Sequence, residues 1–348
     1  MKKLLITGGV GFLGYHLCKR LAKKFDKIIL VDIDRFNKEE YPSNVDYYRV
    51  DISDRFAFEE LVKKTKPSLI VHAAAALPLY SEKIIWRVNV QGTKNVLTSA
   101  LNNKVKRVVF ISSTAVYGVP KVHPLYEDTR LVGVGPYGKT KIVAEKICRD
   151  FRSKGLCVPI IRPKTFIGTG RLGVFQILYD WVESGKRIPI IGNGKNKYQL
   201  LEVEDLVDSI YLTLEKKEEL VNDTFNVGAE KYESVYEDVS ALCHYADSGA
   251  RVMKTPATPV KFALRILESL KVSPLYKWVY GTADKDSFVS IEKIQRNLGW
   301  KPAFSNQEAL IHSYKWYLEH KSESDSATGI THRVAWDQGI LKLFKKLL

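Results

Sequence analysis

The stretch Thr7-Gly8-Gly9-Val10-Gly11-Phe12-Leu13-Gly14 constrains this chain more than any other. It follows an apolar run, Leu4-Leu5-Ile6, and precedes Tyr15 to Leu21, in which Leu17 and Leu21 stand one helical turn apart. The order is strand, glycine turn, helix. Residues without a side chain are needed where the backbone reverses between a buried strand and a helix, and where a pyrophosphate approaches the amides. The helix N-terminus then aims unpaired N–H groups and its positive dipole end at the phosphates. A glycine pattern alone is weak evidence; flanked by a strand and a helix, it predicts a nucleotide-binding turn.

The alternation continues. Lys27 to Asp32 is a second apolar strand ending in an acid, and a carboxylate there accepts from the adenosine ribose hydroxyls and repels a 2′-phosphate. NAD is favoured over NADP, with nearby Arg35 as the contrary sign. Tyr47 to Ile52 is a third strand ending near Asp51, whose carboxylate either accepts from the adenine amino group or caps a helix beginning near Arg55. Ser68 to His72 runs into Ala73-Ala74-Ala75-Ala76, small residues that let backbone lie against a ligand, and His72 reads as a strand-end residue rather than a catalyst. Glu82 to Leu101 is helical in period and carries the polar Asn89 on a helix that otherwise looks buried. Lys106 to Ile111 is a fifth strand, ending in Ser112-Ser113-Thr114-Ala115-Val116-Tyr117-Gly118. After a loop rich in Pro and Gly, a helix opens at Tyr137 and runs to about Arg152, placing Tyr137 and Lys141 on one face. A further strand, Val158 to Pro163, leads to the segment Phe166 to Arg171. Strands alternating with helices mean an α/β fold: a doubly wound parallel sheet with helices on both faces and ligands at the carboxyl ends of the strands.

From Gly173 the elements become shorter and mixed. Helices are expected near 174–184, 203–215, 236–245, 259–270, 290–298 and 306–320, and strands near 188–191, 224–227 and 251–255. The expected organisation is a nucleotide-binding domain over 1–172 and a smaller α/β substrate region over 173–320, some of whose elements return to the first domain. A polar linker then opens the segment 321–348. Trp336, Ile340, Leu341, Phe344, Leu347 and Leu348 recur there at helical spacing among lysines, a basic amphipathic helix that touches an anionic membrane through 335–348, docks on the fold or binds a partner.

Composition excludes several classes. With 348 residues, 45% hydrophobic and 27% charged, the chain has an ample core and is not disordered as a whole. Cys18, Cys148, Cys157 and Cys243 stand too far apart for a zinc site or a disulfide framework, so no metal is expected and reduced thiols in a cytoplasmic setting are the simplest reading. The N-terminal apolar run is too short for a signal sequence, and no run approaches a membrane span. A net charge of +15 fits an anionic partner or a solvated lysine-rich surface; without interleaved aromatics or a recognition motif it does not indicate nucleic acid.

The set Gly8-xx-Gly11-xx-Gly14, Asp32, Asp51, Asn89-xx-Gly92-Thr93, Ser112-Ser113-xxx-Tyr117-Gly118 and Tyr137-xxx-Lys141 resembles the extended short-chain dehydrogenase/reductase superfamily, in its NAD-dependent epimerase/dehydratase branch. The resemblance implies a Rossmann-type first domain and an NAD site formed by Gly8, Gly11, Phe12, Leu13, Gly14, Asp32, Asp51, Ile52, Ala73, Ala74, Asn89, Tyr137 and Lys141. It also implies a homodimer through the helices bearing Asn89 and Tyr137. An unperturbed phenol has a pKa near ~10, and an ammonium one turn away favours the phenolate. Tyr137 then removes a hydroxyl proton, Ser113 holds the substrate oxygen, and Lys141 also ties down the nicotinamide ribose.

The departures from that family are as informative. Members that dehydrate nucleotide sugars carry an Asp-Glu pair where this chain has Thr114 and Ala115, so water elimination by that route is not expected. Members that bind UDP- or dTDP-sugars commonly have an Asn and an Arg near the diphosphate, where this chain has Thr165 and Tyr198. Lys164, Arg171, Lys195 and Lys197 are candidates for phosphate contacts from new positions, and Ala75 and Thr114 complete the candidate substrate set. The leading reading is epimerisation of a sugar carrying a diphosphate. A one-way dehydrogenase on a hydrophobic alcohol, like the 3β-hydroxysteroid dehydrogenases, is the first rival, and a non-catalytic NAD-sensing protein the second.

Overall fold

The computed structural model describes residues 2–270, 277–321 and Lys345. Its first half follows the alternation in the sequence: β1 (Lys3–Thr7), α1 (Phe12–Leu21), β2 (Lys27–Asp32), β3 (Val45–Arg49), α2 (Arg55–Thr65), β4 (Leu69–His72), α3 (Glu82–Trp86), α4 (Thr93–Asn102), β5 (Arg107–Ile111), α5 (Gly135–Arg152) and β6 (Ile160–Pro163). The helix expected from Glu82 to Leu101 is continuous but not uniform, because Arg87–Gly92 between α3 and α4 forms a π-helical segment. Such widening is a feature of functional sites rather than of propensity, and Asn89 lies within it.

Beyond these come β7 (Thr165–Ile167), α6 (Val174–Glu183), β8 (Arg187–Ile191), β9 (Leu200–Glu202), α7 (Val203–Glu215), α8 (Glu218–Val221), β10 (Thr224–Val227), α9 (Val235–Ala246), β11 (Arg251–Thr255), α10 (Ala257–Ser269), α11 (Lys277–Thr282), α12 (Glu292–Leu298) and α13 (Asn306–Glu319). The pairs β7–β9 and β8–β11 are two small parallel sheets. Both strands of the first are three residues long, too short to show a period.

The main sheet has seven parallel strands in the order β10-β6-β5-β4-β1-β2-β3. The chain order reverses between β1 and β4, where a doubly wound sheet opens its ligand crevice. Period-two alternation sorts the strand residues onto two cores. Leu4, Ile6, Ile28 and Leu30 face one layer with α1 and α7, whereas Leu5, Ile29, Ile70 and Phe110 face the other with α2, α4 and α5. The edge strand β10 pairs with β6, so residues 224–227 return to the sheet of the first half, and Phe225 packs in the same core as Leu4 and Ile6. The proposed C-terminal amphipathic helix lies outside the described residues except for Lys345, whose Nζ stands 2.5 Å from Asp180 Oδ2 on α6.

Because Phe225 is wholly buried, Phe225→Ala should cost about 3–5 kcal/mol in urea unfolding. The loss should move one cooperative transition that also reports the N-terminal strands; a separate second transition would show that β10 belongs to an independent unit.

Candidate active site

The glycine turn is shaped by close backbone approach. Gly8 has φ +70°, and a Cβ on it would lie 2.9 Å from the Ala74 backbone; one on Gly14 would lie 2.2 Å from the Gly8 carbonyl oxygen. A Cβ on Gly11 would meet only that same carbonyl, at 3.3 Å. The inner glycines thus seat α1 and the Ala73–Ala76 loop against the turn, while Gly11 leaves its outer side open. Gly11 is also the N-cap of α1 and brings no capping side chain, so the first amides of the helix remain for an anion. Phe12 and Leu13, the first residues of α1, are buried.

Asp32 closes this cradle at the end of β2. Its Oδ2 accepts from Val10 N at 3.1 Å, and its Oδ1 from Ile33 N at 2.7 Å and Asp34 N at 3.2 Å. Burial raises its pKa, opposed by those three amides. Asp51 lies past β3, where its carboxylate accepts from Ser53 N at 2.8 Å. The capping alternative falls instead to Asp54, which accepts from Ala57 N at 3.0 Å at the start of α2. Ile52 is buried against Gly92, with its carbonyl taken by Asn95.

Asn89, buried at 2% exposure, clamps the alanine loop. Its Oδ1 accepts from Ala76 N at 2.8 Å, and its Nδ2 donates to Ala76 O and to Thr140 Oγ1 on α5, each at 3.2 Å. The structure therefore shows Asn89 tying this loop to the helix that carries Tyr137. Ala73 N and Ala74 N bond Thr7 O and Thr7 Oγ1 at 3.2 Å, which leaves Ala75 between two anchored ends. His72 is structural, as its sequence position suggests: its ring bridges Thr7 Oγ1 at 2.7 Å and Thr93 Oγ1 at 3.0 Å.

Tyr137 and Lys141 lie together on α5 beyond the end of β5. The Lys141 Nζ donates to Ile111 O at 2.8 Å and stands 5.8 Å from the Tyr137 ring centroid. The lysine is buried, and desolvation pulls its pKa down to about 8 against the opposing pull of Cys148 and Glu145. Ser113 follows β5 and accepts from Ala115 N at 3.1 Å, which leaves its hydroxyl proton to donate. Thr114 donates to Pro163 O at 3.3 Å.

Beneath these residues lies a polar network that the sequence did not single out. Glu145, one turn beyond Lys141 and wholly buried, pairs with Arg162 through Oε2–Nη2 at 2.6 Å and Oε1–Nε at 2.8 Å. Glu145 Oε1 also accepts from Ser112 Oγ at 2.6 Å. Arg162 Nη1 reaches Tyr117 Oη and Glu127 O at 2.8 Å, and Tyr117 Oη donates to Asn226 Oδ1 at 2.7 Å. The available signal was an Arg inside an apolar strand and a Glu continuing the Tyr137–Lys141 spacing.

The candidate substrate residues separate into groups. Thr165 Oγ1 and Tyr198 Oη are hydrogen-bonded at 2.8 Å, with Lys164 Nζ 5.0 Å from the Tyr198 ring. Arg171 instead lies over Phe12 and Phe166, at 5.3 and 5.7 Å from their ring centroids. Lys195 and Lys197 are exposed. Among the described residues, Glu202, Glu204 and His312 bring metal-ligand atoms within 4.8 Å, but Glu202 and His312 already pair at 3.0 Å and the group crowns the N-terminus of α7, where the helix dipole opposes a cation.

A model of the NAD dependent epimerase/dehydratase family matches residues 4–228, which spans β1 to β10 and every residue of the cradle and the Tyr137–Lys141 pair. The chain belongs to this family. An uncharacterised protein of Sinorhizobium fredii is 32% identical over 99% of the chain and 85% of its own length. The UDP-glucose 4-epimerase of Lactobacillus helveticus is 27% identical over 91% of the chain and 98% of its own length. Among solved structures, the UDP-glucose 4-epimerase of Thermotoga maritima shares the fold with a TM-score of 0.77 at 23% identity, covering 92% of this chain and 99% of that one. The family member described here is an NAD-dependent enzyme, which sets aside the non-catalytic reading. Its glycine cradle, uncapped α1 and Asp32 fit the dinucleotide.

One acid-side property follows from His72. Burial, with Lys141 second, lowers its pKa from 6.5 to about 3, so the fold holds the neutral ring. That contribution to stability is complete above about pH 6.5 and is lost as pH falls toward about 3. His72→Gln should therefore flatten the fall in urea stability between about pH 6 and 4; an unchanged slope would show that the ring titrates normally in the fold.

Proposed function

We propose that this enzyme is a 4-epimerase acting on a hexose linked to uridine diphosphate. The observation that carries this reading is the buried Lys141 ammonium, fixed on Ile111 O two residues before Ser113 and 5.8 Å from the Tyr137 ring centroid. The arrangement performs reversible proton transfer at a secondary alcohol. Tyr137 Oη takes the hydroxyl proton, favoured by the positive charge of Lys141, while the Ser113 hydroxyl donates to the same substrate oxygen as its carbonyl character grows. Bound in the cradle, NAD supplies the acceptor for the carbinol hydride and the means of its return. The alcohol is restored when the hydride returns to the carbon and Tyr137 returns the proton to the oxygen, and inversion requires only that the sugar present its other face.

Two observations favour epimerisation of a nucleotide sugar over its rivals. Thr114 and Ala115 offer no carboxylate for the second proton of a dehydration. Relatives that align along nine-tenths of the chain are named UDP-glucose 4-epimerases, which supports a nucleotide sugar over a hydrophobic alcohol.

Tyr137→Phe should lower interconversion of UDP-glucose with its 4-epimer by a factor of about 10²–10⁴, followed by proton NMR of the sugar, while leaving NAD affinity within a few-fold. Turnover near the wild-type rate in that variant would refute the assignment.

We also propose a homodimer in which α3, α4 and α5 pair across a two-fold axis, supported by the family resemblance and by Trp86 on α3, which is 38% exposed. Light scattering should return about twice 39.6 kDa; the monomer mass would remove this contact.

A further inference from the structure

Lys164 occupies an unusual position for a cation. It directly follows β6, is 4% exposed, and forms no ion pair among the described residues. Its Nζ donates to one neutral oxygen, Ser287 Oγ, at 2.6 Å, and lies 5.0 Å from the Tyr198 ring centroid. A buried ammonium ordinarily brings a carboxylate with it, because desolvation without a counter-charge costs several kcal/mol. Here desolvation pulls the group down to about 7, and no carboxylate opposes the shift. Beside it, the His123 ring lies tilted against Phe288 with centroids 4.8 Å apart, and both its nitrogens are buried without a hydrogen-bond partner among the described residues. The electrostatic field of Lys164 acts on that ring, opposite in sign to that of the exposed Asp286.

These groups lie next to the reacting residues. Pro163, which precedes Lys164, accepts the Thr114 hydroxyl, and Thr114 follows Ser113. Lys164 also links the two halves of the molecule, since its partner Ser287 is bridged to Tyr198 while its own amide bonds Val227 O on β10. Beyond the carboxyl end of β6 there thus stand together a cation without a counter-charge among the described residues and a histidine with spare donor capacity.

We propose that Lys164, with Ser287 and His123, receives an anionic oxygen group of the substrate, either its diphosphate or a carboxylate on its sugar. The inference rests on and deepens the nucleotide-sugar reading, and names a residue that stands in for the arginine absent at position 198. An anion there restores the counter-charge and accepts from Nζ, while Ser287 and one imidazole N–H are available as further donors.

The test uses full-length protein saturated with NAD, so that phosphate probes do not enter the cofactor cradle. Inorganic pyrophosphate, UDP, UDP-glucose and UDP-glucuronate are titrated calorimetrically into wild type, Lys164→Met and Lys164→Gln. Retained NAD affinity and a cooperative melt show that each variant is folded, and the second substitution stands in if the first does not fold. A tenfold or greater loss for pyrophosphate, UDP and both sugars supports the proposal and assigns the diphosphate. A tenfold or greater fall in the UDP-glucuronate to UDP-glucose affinity ratio supports it and assigns a carboxylate. Affinities within two-fold of wild type for every probe overturn it. Wild type that binds pyrophosphate through Lys164 but neither UDP-sugar keeps the anion site and removes the nucleotide-sugar function; wild type that binds no probe overturns both.

Discussion

The ion pair between Glu145 and Arg162 holds the chemistry of this enzyme in register. Both side chains are buried, and each also hydrogen-bonds a neighbour: Glu145 reaches Ser112 at the end of β5, and Arg162 reaches Tyr117 in the turn that follows. An isolated buried pair is weak evidence of net stability, but removing one partner of such a pair strands a charge and is strongly destabilising. Its value here is geometric. Glu145 belongs to the same helix as Tyr137 and Lys141, and Arg162 to the strand that leads into Lys164. The pair therefore fixes the helix that carries Tyr137 and Lys141 relative to both Ser113 and the candidate substrate residues. Through Tyr117 and Asn226 the same network reaches β10, so a strand from late in the chain helps to align a site encoded mainly before residue 172.

Local features of this design were legible in the sequence because local rules produce them. The glycine turn, the acid ending β2 and the Tyr137–Lys141 spacing each depend on a few consecutive residues, and the structure brings these elements to the carboxyl ends of the parallel strands. Element bounds in the second half also follow the sequence pattern closely; helix α7 and strand β10 coincide with the expected 203–215 and 224–227. What stayed hidden depends on distant parts of the chain. Periodicity cannot show that β10 adds to β6, and three-residue strands such as β7 and β9 have too few positions to display alternation. The π-helical turn at Arg87–Gly92 is likewise invisible to a search for helical period.

Polar side chains that stand out in the sequence have definite partners in the fold. Asn89 stood out as a polar group on a buried helix, and its hydrogen bonds explain that burial through the alanine loop it clamps. Asp51 offered two readings, and Asp54 took the capping one because it lies at the right offset from the Ala57 amide. Thr165 and Tyr198 stand where the family pattern has an Asn and an Arg. Their mutual hydrogen bond makes them one coupled change, in which two neutral groups satisfy each other.

That coupling alters how the missing arginine should be understood. A guanidinium at position 198 beside Lys164 would place two cations against each other in a poorly solvated space, where like charges repel far more strongly than in water. Tyrosine avoids this repulsion and presents its ring face to the ammonium, a favourable electrostatic contact that needs no second charge. The chain thus keeps a positive centre near the substrate side of the sheet but moves it from a forked, always charged donor to a single amine whose charge depends on what lies beside it. An anion beside this amine would hold it fully cationic, so the proposed complementarity would be coupled to occupancy.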